Sequence, residues 1–209
     1  MKWLRILLAC LILAPLAGCG YNAIQSSDED VNAAWSEVLN QYQRRADLVP
    51  NLAAAVKGYA AHEQAVLTQV AQARASVGSV QMTPEMAKDP NALAAFDARQ
   101  GDLTNALSRL MVVSENYPQL KADKLFQDLQ VQLEGTENRI TVARGRYIHA
   151  VQQYNVQIRQ FPGVIVARTL GYQPRPNFGV ANEAAISSAP KLDFSSPGAL
   201  RAASQSAAQ

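Results

Sequence analysis

Few side chains in the sequence suggest a reactive site, and the pair His62-Glu63 is the first candidate. A helix that binds zinc for peptide hydrolysis carries a second histidine three residues beyond the glutamate. That position is Val66 here, and the other histidine of the chain, His149, is remote. The pair therefore predicts no metal site. We also find no phosphate-binding loop and no Ser, His and Asp set in a recognisable local context, so we expect no cofactor and no enzymatic activity.

Cys19 carries the clearest chemical signal. Lys2 and Arg5 precede an uncharged run at residues 6–16, which has the length of an export signal and is too short to span a bilayer. The residues Leu16-Ala17-Gly18 then lead into Cys19, and this resembles a bacterial lipobox. The resemblance implies cleavage after residue 18, diacylglycerol on the sulfur and a third acyl chain on the new amino group, which together anchor a protein stably. An ordinary export signal that contains a cysteine is the alternative.

Cleavage would change the charge and the cysteine count of the chain. Cys10 lies in the removed segment, so Cys19 would have no disulfide partner. Removal of Lys2 and Arg5 leaves 17 basic side chains against 17 acidic ones, and the formal charge falls from +2 to 0. Neutrality argues against a nucleic-acid partner. It also favours the interpretation that four arginines pair with nearby acids instead of forming a basic patch: Arg44, Arg139, Arg144 and Arg146.

The sequence predicts that helices position these side chains. The longest helical pattern is an apolar stripe from Val31 to Val77. Its members follow at alternating steps of four and three residues, which is the 3.5-residue repeat of a helix that packs against other helices. At 209 residues and 48% apolar composition, one bundle domain is expected. The stripe consists of Val31, Trp35, Val38, Tyr42, Arg45, Val49, Leu52, Val56, Tyr59, Glu63, Val66, Val70, Ala73 and Val77.

Two charged residues, Arg45 and Glu63, stand on this stripe. A charge on a buried stripe must find a partner on another helix or be expelled from the core. We predict that each residue pairs across helices and thereby fixes their register.

Pro50 interrupts the same helix and leaves two alternatives. A proline in a helix interior removes a hydrogen bond and clashes with the preceding turn, at a cost of about 3 kcal/mol. The repeat passes through Pro50 unchanged, which favours a kinked helix and a three-helix bundle. The next helical segment is only about half as long, which favours a break at Pro50 and a four-helix bundle. The sequence leans towards the break, since an unbroken helix would need a second molecule to cover its stripe.

Two further helices follow, with a connection at residues 78–90 in which Asp89 has the character of an N-cap. The cluster Ser26-Ser27-Asp28-Glu29-Asp30 is interpreted as the cap of the first helix, since Ser26 and Glu29 have capping-box spacing. The stripes of the later helices are Leu93, Phe96, Gln100, Leu103, Leu107, Leu110, Ser114 and Tyr117, and then Phe126, Leu129, Leu133, Thr136, Ile140, Ala143, Tyr147, Ala150 and Tyr154.

The predicted organisation is therefore all-α, an antiparallel up-and-down bundle of long helices with no strands. Residues 1–18 form a signal peptide and residues 19–27 a lipidated tether. Residues 28–171 form the bundle. Residues 172–209 are rich in Pro, Ser and Ala, a composition that cannot offset its ordering entropy, and are predicted to be a disordered tail.

Several blocks of the chain, in order and spacing, resemble the LemA family over residues 21–171. One departure is Tyr147-Ile148, where family members usually have Tyr-Asn, and another is a lipobox in place of the usual transmembrane anchor. The blocks include Arg44-Arg45-Ala46-Asp47-Leu48-Val49-Pro50-Asn51-Leu52, Val56-Lys57-Gly58-Tyr59, Glu115-Asn116-Tyr117-Pro118, Glu137-Asn138-Arg139-Ile140, Tyr154-Asn155 and Phe161-Pro162.

The resemblance implies a helical, membrane-anchored protein with no established activity or ligand. Family genes often neighbour those of membrane proteases or TPM-domain proteins, which implies an envelope protein as partner. We expect a non-catalytic lipoprotein of the bacterial cell envelope that acts through protein contacts, with a homo-oligomer as a further option. Gly20 after Cys19 resembles the signal for the outer membrane, facing the periplasm, if the source has two membranes. An envelope enzyme of unknown reaction and a structural spacer or adaptor are the alternatives.

Overall fold

The computed structural model describes residues 2–80 and 82–179, with the side chains of Trp3 and of residues from 20 onward in the first helix. This part of the chain contains six α-helices, one 3-10 turn and no strand, so the predicted all-α class is confirmed. In chain order the elements are α1 Lys2–Tyr59, α2 Gln64–Gly78, the 3-10 turn Met86–Lys88, α3 Pro90–Ser114, α4 Pro118–Ala122, α5 Lys124–Gln157 and α6 Gly163–Leu170.

Four helices, α1, α2, α3 and α5, alternate in direction and form an antiparallel up-and-down bundle. The hydroxyl of Tyr59, at the end of α1, donates to Asp123, just before α5, at 2.8 Å. Ile24, near the other end of the described bundle, packs in one cluster with Ile158, just after α5. α5 therefore returns along α1, while α2 and α3 form the second close pair. The chain adopts the four-helix alternative.

The predicted stripes supply the core, which consists of two apolar clusters. On α1 the stripe is buried from Val31 to Val56, and the stripes on α3 and α5 are buried in the predicted register. Burial of a large apolar side chain stabilises the fold by about 1.5–3 kcal/mol. We call the cluster at the end of the bundle near residue 20 the proximal cluster; its central residues are Trp35, Phe96 and Tyr147, and it also contacts α6. The distal cluster lies at the opposite end; its central residues are Leu52, Leu107 and Phe126, and it also contacts α2.

The first helix turns at residues 60–63, so the predicted break at Pro50 is wrong. Pro50 stays inside α1 with its ring exposed. A proline lacks the N–H that would bond the carbonyl four residues earlier, which here belongs to Ala46. Arg74 of α2 donates its Nε–H to that carbonyl at 3.1 Å. The neighbouring helix thus replaces the missing bond, and α1 continues.

The start of the bundle also differs from the prediction. α1 passes through the predicted tether at residues 19–27 and through the predicted cap at Ser26, so neither feature forms. Ile24 is fully buried in the proximal cluster, which gives this segment a packing reason to remain helical. The predicted N-cap of α3 is confirmed, since the Asp89 carboxylate accepts the N–H of Asn91 at 3.0 Å.

Residues 172–178, which the sequence assigns to the disordered tail, lie against the bundle, and we call them the strap. The side-chain amide of Asn155 bonds both backbone polar atoms of Arg175, at 2.8 and 2.9 Å. Phe178 is buried in the proximal cluster. The packed part of the chain thus extends beyond the predicted boundary. The rest of the predicted tail, residues 180–209, lies outside the described residues.

The bond between Arg74 and Ala46 can be tested through Pro50. Arg74→Met removes the donor and should lower the free energy of unfolding by about 0.5–1.5 kcal/mol. With Pro50→Ala present, the amide at position 50 bonds the Ala46 carbonyl, so the Arg74 substitution should cost much less. Urea unfolding of the single and double variants measures this coupling. Arg109→Met, which removes an exposed side-chain contact of α3 with α2, is the control. An equal cost of Arg74→Met in both backgrounds would contradict the assignment.

Candidate functional site

Cys19, the predicted site of lipid attachment, lies within α1, and its side chain lies outside the described part of the structure. The next residue, Gly20, is where α6 crosses α1. A Cβ at Gly20 would lie 3.4 Å from Cγ2 of Val166 and 3.5 Å from Cα of Gly163. Residue 19 is therefore adjacent to the α6 end of the bundle. Among the helical residues with described side chains, no stretch is both long and apolar enough to cross a membrane.

Small residues hold α6 close to α1. A Cβ at Gly163 would lie 2.3 Å from the backbone carbonyl oxygen of Gln157, so this position requires glycine for space. Ala167 is buried one turn further along α6. One side of α6 therefore packs against α1 near Gly20, and the other side is exposed to solvent.

Arg45, which the sequence predicts to pair across helices, lies in the middle of the bundle and is 1% exposed. Its Nη1 donates to Oε1 of Glu137 on α5 at 2.9 Å and to Oγ1 of Thr104 on α3 at 2.8 Å. Its Nη2 donates to the backbone carbonyl of Gln100 at 3.1 Å and to the side-chain oxygen of that residue at 2.5 Å. One side chain of α1 therefore bonds both α3 and α5.

These groups form a polar layer between the proximal and distal clusters. Desolvation of a buried guanidinium costs several kcal/mol, and its partners offset this cost only with good geometry. The side chain of Glu137 is 38% exposed and keeps contact with water, so the pair is only partly desolvated. Nε of Arg45 has no hydrogen-bond partner among the described residues. The layer binds helices to one another, which is the geometry that the predicted register role requires.

Glu63, the other residue predicted to set the register, lies in the turn between α1 and α2. Its carboxylate accepts the hydroxyl hydrogen of Tyr117, which precedes α4, at 3.1 Å. Partial burial and this carboxylate raise the pKa of Tyr117. The ion pairs found among the described residues do not include Glu63. Its contact across the fold is thus to a neutral donor.

Asp123 has two partners at the same distal end of the bundle. Its carboxylate accepts the N–H of Phe126 at 3.0 Å, which caps α5, and the hydroxyl hydrogen of Tyr59 at 2.8 Å. The backbone bond from Phe126, together with the bond from Tyr59, lowers the pKa of Asp123. The same hydrogen bond to Asp123 raises the pKa of Tyr59. The distal end is therefore closed by tyrosine and carboxylate pairs.

Arginines on α5 join it to other helices, as the sequence interpretation expects. Arg144 pairs with Asp97 of α3 and donates to the hydroxyl of Tyr42 on α1 at 2.9 Å. Burial raises the pKa of Tyr42, although the neighbouring Arg144 opposes that shift. Arg146 pairs with Glu37 of α1 at 2.5 Å. These two arginines are therefore bound to acids, whereas the other two of the expected set, Arg44 and Arg139, are exposed and form no ion pair among the described residues.

Arg175 in the strap is a site residue that the sequence interpretation missed. It is 5% exposed, and it bonds Asp28 through Nη2 at 2.5 Å and Asn32 through the same nitrogen at 3.2 Å. Three residues later, the ring of Phe178 lies 4.0 Å from the guanidinium carbon of Arg144. The available signal was Tyr-Gln-Pro-Arg-Pro-Asn-Phe at 172–178, in which two aromatic residues and an arginine interrupt the polar composition of the tail.

The described residues offer little that resembles reactive chemistry. Within this part of the chain no three His, Cys, Asp or Glu side chains converge, and His62 lies in the exposed turn after α1. One depression of about 520 Å³ lies between α1, α2 and α3 and is lined by Tyr42, Arg74 and Phe96 among others. Another of about 440 Å³ lies between the end of α5, α6 and the strap.

These features define an all-α antiparallel bundle whose buried charges bind its helices to one another. The sequence profile of the LemA family matches residues 34–194, which is more than half of the chain. The chain belongs to the LemA family, and the predicted membership is confirmed.

The chain is also similar to three curated proteins that share the name magnetosome protein MamQ. Magnetosome proteins MamQ 1 and MamQ 2 of Paramagnetospirillum magneticum and MamQ of Magnetospirillum gryphiswaldense are each 27% identical to this chain over 169 residues. The match covers 73% of this chain and 62% of each relative. The chain therefore spans less than two thirds of the length of these relatives.

The polar layer can be tested by removing one charge and then both. Glu137→Gln leaves the Arg45 guanidinium without its counter-charge and should lower the free energy of unfolding by about 1–3 kcal/mol, which is less than for a fully buried pair because Glu137 meets water. Arg45→Met combined with Glu137→Gln should recover part of that loss. Urea unfolding measures both, with Glu134→Gln on the exposed side of α5 as control. Equal effects of the two glutamate substitutions would exclude a special role for Glu137.

The pKa of Asp123 predicts a difference in acid stability. Because folding lowers this pKa, the ionised carboxylate adds stability above the ordinary value of 3.8, and that contribution is lost as the pH falls through the folded pKa. Asp123→Asn keeps a capping oxygen but does not titrate. Stability should therefore fall more steeply with acidification in the parent than in this variant. Asp102→Asn, at an exposed position of α3, is the control, and parallel curves for parent and Asp123→Asn would refute the expectation.

Proposed function

We propose that this protein is a lipid-anchored, non-catalytic helical bundle of the bacterial cell envelope that acts through contacts with other envelope proteins. The observation that carries the proposal is that Cys19 lies within α1, which continues from there to Tyr59 without a break. From residue 20 to Tyr59 this helix spans about 60 Å at 1.5 Å per residue. An acylated Cys19 would therefore hold the bundle on the membrane through a helix that is itself part of the core.

The partners of the buried arginines support a role in protein contacts instead of catalysis. In enzymes, perturbed charged groups converge on a cleft. Here three buried or half-buried arginines of the described bundle bond acids on neighbouring helices or across the strap, which commits them to holding the fold together. These pairs are Arg45 with Glu137, Arg144 with Asp97, and Arg175 with Asp28.

The outer side of α5 offers a surface for a protein partner. Val131, Val142 and Val156 are 67%, 54% and 40% exposed. Their spacings of eleven and fourteen residues place them on one line along a helix. The partner we propose is an envelope protein, with a membrane protease or a TPM-domain protein as the candidates that the family association suggests.

A structural spacer or adaptor is the second candidate. The length of α1, about 60 Å from residue 20 onward, favours it, since such a helix can hold its distal end well away from a membrane. Where the source has two membranes, Gly20 after Cys19 supports the outer membrane, facing the periplasm, as the place of the anchor.

The anchor is tested by Cys19→Ser with Cys10→Ser as the matched control. Cys19→Ser should abolish incorporation of labelled fatty acid and weaken retention in the membrane fraction, because serine offers no thiol for diacylglycerol. Cys10→Ser should behave as the parent, since that residue lies in the segment removed on cleavage. Crosslinking in membranes from the same strains then tests for a protein partner that depends on Cys19. Unchanged fatty acid labelling and equally firm membrane retention of Cys19→Ser would refute the anchor.

A further inference from the structure

The end of the bundle around α6 exposes several large apolar side chains within one short segment. Phe161, Ile165 and Leu170 are 70%, 58% and 56% exposed. α6 seats Gly163 and Ala167 against α1, so Ile165 points away from the bundle. Scattered apolar residues on a surface need no explanation, but a group of them at one end of a fold indicates an interaction surface.

Two arginines accompany these apolar side chains. Arg159 and Arg168 both line the depression of about 440 Å³ between α5, α6 and the strap. Neither has an acidic partner within 4.0 Å among the described residues. Residues 156–182 and residues 20–27 contain no Asp or Glu, and the third arginine of the first stretch, Arg175, is already bound to Asp28. The surface is therefore both apolar and positively charged.

We propose that this end of the bundle docks on the membrane that holds Cys19, with Phe161 and Ile165 in the interfacial region and Arg159 and Arg168 on the phosphates of anionic lipids. The inference rests on the proposed anchor. Apolar side chains gain by leaving water at a bilayer surface, while arginine reaches the phosphate groups. The positive charge matches anionic lipid headgroups.

The position of the anchor selects a lipid surface over a protein as the occupant. Gly20 contacts α6, with 3.4 Å between its Cβ position and Val166, and Cys19 is the preceding residue. Acyl chains on Cys19 bring the bilayer surface to α6 by connectivity alone. A protein partner at this surface would have to share that space with lipid headgroups.

A probe on α6 tests the docking directly. The acylated protein, purified from membranes, is placed in vesicles of phosphatidylcholine with phosphatidylglycerol, with the polarity-sensitive dye NBD on Ile165→Cys. The acylated Cys19 sulfur does not react with the dye. Emission should shift to the blue and be quenched by a lipid-borne quencher, whereas the same dye on Val131→Cys, an exposed site towards the distal end of α5, should report water.

The outcomes separate this inference from the anchor on which it rests. A protein that floats with the vesicles but reports water at position 165 overturns the docking surface alone. A protein that does not float overturns the anchor, and the docking surface with it.

The arginines have their own test. Arg159→Gln with Arg168→Gln should weaken the dependence of the blue shift on phosphatidylglycerol, since each cation near an anionic surface is worth roughly five-fold in affinity. Arg44→Gln with Arg139→Gln, two exposed arginines elsewhere on the bundle, is the matched control and should keep the parent behaviour. Circular dichroism verifies that both double variants fold. A dependence unchanged by loss of Arg159 and Arg168 would overturn their role.

Discussion

The buried guanidinium of Arg45 is the interaction on which the helix arrangement depends most. Apolar stripes that repeat every 3.5 residues can pack in several registers, because one heptad resembles the next. A charge in the core can be accommodated only where its partners lie at the same height, and here α3 and α5 supply Gln100, Thr104 and Glu137 at that level. The layer also divides the core into its proximal and distal clusters. Two apolar regions with one polar seam define the relative height of three helices.

The second constraint is that α1 has to continue past Pro50. Because Pro50 has no N–H, the carbonyl of Ala46 has no hydrogen-bond donor within α1. Arg74 of α2 supplies that donor. The helix that contains Cys19 is for this reason the same helix that organises the core. The two ends of the bundle are therefore joined by a continuous packed helix and not by a linker at Pro50.

The two ends of the described bundle differ in chemistry. At the distal end, carboxylates accept hydrogen bonds from Tyr59 and Tyr117. At the proximal end, the segment that includes α6 and the strap carries arginines and no acids, and the strap is held because Arg175 reaches across to Asp28. The two ends therefore differ in charge, and the proposed membrane docking uses the positive and apolar end next to residue 19.

Features that depend on local periodicity could be predicted from the sequence. The all-α class, the buried registers of α3 and α5, the cap at Asp89, the need of Arg45 for a partner and the family all follow from residues close together in the chain. The turn of α1 at residues 60–63 and the packing of the strap against the bundle were visible only in the folded structure. The reason is distance along the chain: Arg74 acts on a carbonyl 28 residues away, and Arg175 on a carboxylate 147 residues away. No local pattern of residues encodes such contacts.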